Sequence, residues 1–102
     1  HAHEHAALHG GIVVEAKDMD FELVAKSESL NLYVRDHGNP VDVAKASAKL
    51  TLLAGGVKQE TLLKPSGDKL EAVGQFKTAG AKVIALVEIP GKSAVTVRFV
   101  LH

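Results

Sequence analysis

The sequence predicts an all-β fold, from three observations. Apolar residues recur at every second position in several short runs, clusters of Gly and Pro separate those runs, and seven or eight such runs fit into about 100 residues. Taken in order, "DFELVAK" sets Phe21, Leu23 and Ala25 against Glu22, Val24 and Lys26. "LNLYVR" places Leu30, Leu32 and Val34 on one face and Asn31, Tyr33 and Arg35 on the other. "AKLTLL" does the same with Ala48, Leu50 and Leu52, and "LEAVGQF" with Leu70, Ala72 and Phe76. "AVTVRFVL" sets Val95, Val97, Phe99 and Leu101 against Thr96, Arg98 and Val100. A side-chain period of two marks a half-buried strand. "AKVIALVEI" is apolar on both faces and suits a central strand.

Reversals are expected at Asp36-His37-Gly38-Asn39-Pro40, Gly55-Gly56, Pro65-Ser66-Gly67-Asp68, Ala79-Gly80 and Pro90-Gly91. Gly supplies positive φ there and Pro presets φ. Strands at this spacing give an antiparallel Ig-like β-sandwich of about seven strands, without the Cys…Trp…Cys hallmark. "VDVAKASAK" admits a short Ala-rich helix as the alternative. Residues 1–11 form a flexible His-rich tail ahead of the 12–102 β-sandwich domain. They lack an apolar pattern and end in Gly10-Gly11.

Composition narrows the function. Apolar residues make up 46% of the 102-residue chain and aromatics 4%, so Val, Leu, Ile and Ala must fill one modest core. Twelve basic and twelve acidic residues balance, which argues against a nucleic-acid or anionic-membrane binder. No apolar run approaches the roughly 18 to 20 residues of a membrane span. With no cysteine, thiolate metal sites and a Cys nucleophile are excluded. No serine lies in G-x-S-x-G and no Gly-rich loop precedes a helix, so an enzyme is not expected. A start at His1 fits a mature exported chain whose signal peptide has been removed.

The chemistry concentrates at the amino terminus. "HAHEHAALHGG" carries His1, His3, His5 and His9, with Glu4 among them. In an extended segment His1, His3 and His5 project from one side. Neutral imidazoles with a free lone pair suit Zn(II), Cu(II) and Ni(II), and Glu4 adds an oxygen. If His1 carries a free α-amine, His1-Ala2-His3 supplies an amine, two backbone amides and an imidazole in one plane, the geometry Cu(II) and Ni(II) prefer. The candidate ligands are therefore His1, His3, His5, His9 and Glu4, with Cu(II) leading and Zn(II) or Ni(II) as the other ions. The competing readings are a solvated tail with no metal role and a cloning remnant, although a tag normally carries consecutive histidines. Met19 offers a thioether but reads as core filler. His37 reads as a solvated turn residue, and His102 is terminal.

The runs "HGG", "DFELV", "LNLYVRDHGNPVDV", "ASAKLTLLAGG", "LEAVGQF" and "TVRFVL" together resemble a group of exported bacterial Ig-like domains, over residues 9 to 101. Those domains occur beside, or fused to the front of, the periplasmic adaptor (membrane-fusion) proteins of heavy-metal RND efflux systems. The resemblance implies a periplasmic sandwich tied to metal resistance, with His-rich termini as metal collectors. It stresses His9 in "HGG" and Glu22 in "FELV". The chain lacks the helical hairpin and barrel of a complete adaptor, so the efflux adaptor enters as a partner only. The expected function is binding and handover of a transition metal. The alternative is a non-metal interaction module that docks an envelope or efflux partner through an exposed strand edge or turn surface. Lys58 and Lys64 make "VKQETLLK" a poor edge for that purpose.

Overall fold

The computed structural model describes residues 9 to 101, which fold as nine strand segments with no helix among the described residues. They are β1 (Ile12–Ala16), β2 (Met19–Ala25), β3 (Ser29–Asp36), β4 (Asn39–Pro40), β5 (Ser47–Ala54), β6 (Val57–Ser66), β7 (Lys69–Val73), β8 (Lys82–Glu88) and β9 (Val95–Val100). Every pairing is antiparallel, in the order β1-β2-β3-β7-β6-β5-β8-β9, with β4 paired to β3. β6 joins the two halves: its start pairs with β5 and its last three residues, Lys64 to Ser66, pair with β7. β1 and β9 approach each other at the far ends, so the sheet curls nearly into a barrel.

The alternation along each run decides which side chains point inward. Phe21 and Leu23, Leu30, Leu32 and Val34, Ala48, Leu50 and Leu52, and Val95, Val97 and Phe99 all lie in one buried core, as the period of two predicts. Fully burying each large aliphatic or Phe side chain contributes about 1.5–3 kcal/mol. Met19 joins this core, which agrees with its reading as filler.

Several expectations need correction. The strand segments number nine because β1 and the two-residue β4 add to the expected set. "AKVIALVEI" is central by position, between β5 and β9, but it alternates: Val83, Ala85 and Val87 are buried while Ile84 and Leu86 face outward and are exposed. The alternative of a short helix in the Ala-rich stretch is not adopted. Asp42 Oδ1 accepts from the Ala44 amide at 3.0 Å, a local turn that competes with helix initiation, and β5 begins at Ser47. Phe76 lies beyond the end of β7 and is half-buried, its amide bonded to the Ser27 carbonyl at 2.8 Å.

Candidate functional site

The outer face of β1-β2-β3-β7 carries charge. Alternation puts Glu22 there on β2, directly opposite Tyr33 on β3, and Val13 of β1 stands on its other side. Glu22 is fully buried and Arg35 is 6% exposed, although both point away from the hydrocarbon core. A buried charge persists only when paired and hydrogen-bonded. Glu22 Oε1 accepts from Arg35 Nη1 at 3.1 Å. Its Oε2 accepts two backbone amides, His9 at 2.8 Å and Gly11 at 2.9 Å.

These contacts explain "HGG". Gly10 has φ of +79°, which turns the amides on either side of it toward one carboxylate oxygen. Amides grouped this way form a small anion-binding nest. Gly11 is required for a different reason. A Cβ there would lie 2.4 Å from the Leu23 carbonyl oxygen, so only glycine lets the chain approach β2 this closely. The start of the described chain is thus clasped to the sheet before β1 begins.

The clasp also fixes a histidine. The His9 imidazole stacks on the Tyr33 ring, with centroids 3.7 Å apart and planes 13° from parallel. Lys69 Nζ lies 6.0 Å from the centre of the same ring, and pairs with Glu71 at 3.9 Å. Stacking occupies the π face of His9. The residue as a whole stays exposed, so the stack does not bury its ring nitrogens' edge under another element. Nearby on this face, Asn31 is buried between Val24 and Glu71, and its Oδ1 has no hydrogen-bond partner among the described residues.

Of the sequence-derived ligands, His1, His3, His5 and Glu4 lie outside the described residues. His9 is described and exposed at the clasp. His37 occupies the β3–β4 turn with φ of 52° and pairs with Asp36, whose other oxygen faces Lys92 Nζ at 3.5 Å. Met19 is buried, and His102 lies outside the described residues. Among the described residues no three His, Asp or Glu side chains come together as a metal site. Sequence reading reached Glu22 through the resemblance and missed Arg35 and Tyr33. Alternation places all three outward, but the strand register that brings them together is not written in any one strand.

No helix among the described residues is long and apolar enough to cross a membrane. The chain matches no family model, and no curated protein or solved structure shows significant similarity to it.

Proposed function

We propose that the chain is a periplasmic metal-binding protein that captures or hands over a divalent transition metal, Cu(II) first and Zn(II) or Ni(II) after it, in heavy-metal resistance or efflux. The single observation that supports this reading is the clasp. It holds His9, the last histidine of the His-rich leader, against a rigid sheet with its ring edge exposed. Ligands at His1, His3 and His5, with Glu4, would close around the ion from a segment that starts at this fixed point. Ordering a leader costs roughly 1 kcal/mol or more per residue. Anchoring it at His9 and Gly11 removes part of that cost. The protein's own residues supply imidazole donors and a fixed ring; the exchange of one imidazole for a donor on a partner is the handover step. The periplasmic setting and an efflux adaptor as partner rest on the resemblance. Strand order supports an Ig-like sandwich: β2-β3-β7 with the end of β6 follows the A-B-E-D order, and β5-β8-β9 follows C-F-G.

Tyr33 makes the test simple, because it is the only tyrosine in a chain without tryptophan. Stoichiometric Cu(II) should quench most of its emission through the adjacent His9. Zn(II) should compete without quenching, and deleting residues 1–8 should abolish high-affinity uptake in calorimetry. Flat calorimetry for copper, nickel and zinc with the whole chain ends the proposal.

A second reading is a docking module. It is favoured by the outer face of β6-β5-β8-β9, where Leu53, Leu62, Ile84, Leu86 and Val100 are exposed, Leu62 by 62% and Val100 by 58%. Exposed apolar side chains gathered on one face often mark a protein contact, here interspersed with Lys49, Thr51, Lys82 and Arg98. That reading predicts no metal uptake with or without the leader.

A further inference from the structure

Four two-residue hairpin turns occur among the described residues, and three contain glycine. They are His37-Gly38, Gly55-Gly56 and Gly67-Asp68. The fourth, between β1 and β2, is Lys17-Asp18, with φ of 51° and 64°. A two-residue turn with positive φ at both centres is the tightest hairpin geometry, and it strongly favours Asn-Gly. Lysine is a poor residue for that region, because its Cβ crowds the following carbonyl. The turn thus holds two non-glycine residues in the left-handed region, where the His37-Gly38 turn holds one and the other two hold none. It also joins the terminal strand of the sheet, which among the described residues has β2 as its only ladder partner.

We propose that the chain forms a two-fold dimer with a second copy of itself by exchanging β1 and the clasp ahead of it, through opening of the Lys17-Asp18 turn. In the exchanged form Lys17 and Asp18 become extended, and the left-handed strain at both is released. Every β1–β2 contact is kept, now between copies. Glu22 and Arg35 of one copy hold His9 and Gly11 of the other. A short strained hinge with an intact interface is the condition that favours such exchange.

The register supplies a further argument. In the hairpin, β1 and β2 pair from Ile12 with Leu23 to Ala16 with Met19. Extending that ladder one step across the two-fold axis sets Lys17 of one copy opposite Asp18 of the second, and Asp18 opposite its Lys17. Two opposite-charge pairs face each other across an antiparallel ladder, an arrangement that stabilises strand pairing. In the closed hairpin the same two residues are adjacent in a turn and exposed.

The test uses the full chain in chelator, so that metal bridging through the leader does not contribute. The concentrated protein is warmed to its unfolding midpoint, cooled, and sized by light scattering. A dimer that persists on dilution is expected. In a mixture of isotope-labelled and unlabelled chains, a filtered NOE between Val14 and Phe21, which face each other across the ladder, should appear between copies. K17N/D18G gives the hairpin its preferred turn and should lower the dimer fraction about tenfold or more. A chain that stays monomeric after this treatment overturns the proposal. So does a dimer without the Val14–Phe21 signal, or one whose amount K17N/D18G leaves unchanged.

Discussion

Glu22 and Arg35 lie on the outer face of β2 and β3 and are buried, while Ile84 and Leu86 lie on the outer face of β8 and are 38% and 40% exposed. Hydropathy alone would place them the other way round. The difference comes from what covers each face. On the first, the chain doubles back ahead of β1, and His9 to Gly11 and the Tyr33 ring close over the carboxylate. On the second, no described segment crosses β5 and β8. Each inner face follows the sequence; each outer face follows the neighbour that reaches it. Among the described residues, the first face is thus held by an ion pair and two backbone amides on one carboxylate, and the second is crossed by no segment.

The largest effect should come from cutting that ion pair. Arg35→Ala leaves the Glu22 carboxylate buried without its guanidinium, and urea unfolding should show a loss of about 3–5 kcal/mol. Replacing both partners by apolar residues of similar size, as in E22L/R35M, should recover much of that stability, because the buried carboxylate left unpaired by the single change is removed with it. The double variant should still lose the His9–Tyr33 stack, since the amides of His9 and Gly11 have lost their acceptor. A shift of the Tyr33 ring resonances reports this directly. If Arg35→Ala proves as mild as an ordinary surface change, the charged face is open to water and the contrast between the faces fails.

A smaller effect isolates the covering segment. Gly11→Ala puts a methyl group 2.4 Å from a backbone oxygen, an atom that cannot swing aside. Overpacking of this kind costs about 1–3 kcal/mol. The Gly11 amide should leave Glu22, and its hydrogen-exchange protection should fall while that of Leu50 in β5 does not. Equal loss of protection in both places would mean that the clasp and the core unfold as one unit.

The inner faces were legible from alternation alone, because each strand carries its own pattern: Leu30, Leu32 and Val34 need no partner to be recognised as buried. The clasp was only half legible. "HGG" stood out, yet its meaning depends on Glu22 lying across from it and on Arg35 arriving from a third strand. Register between strands is fixed by turns, and the turn that sets β1 against β2 is Lys17-Asp18, which carries no Gly, Pro or Asn to announce it. That is also why Ile12 to Ala16, although placed after the leader, was not distinguished from the next strand as an element of its own. On β8, apolar residues on both faces suggested cover on both. Ile84 and Leu86 sit beside Arg98 and Thr96 of β9 and beside Thr51 and Lys49 of β5, a mixed surface that tolerates water.

The smallest effect tests that second face. Ile84→Thr and Leu86→Thr keep β-branching or strand compatibility and remove exposed hydrocarbon. On a face that no described segment covers, each should change stability by no more than about 0.5 kcal/mol. The pair should also reduce binding of a hydrophobic dye, since two of the exposed apolar side chains of this face are then gone. Unfolding midpoints measured at low and high protein concentration make the comparison sharper. A loss well above 1 kcal/mol that appears only at high concentration would show that the face is packed against another molecule in solution. The two outer faces would then both be buried, one by the chain's own leader end and one by a partner, and the docking reading would gain over the metal reading for this half of the molecule.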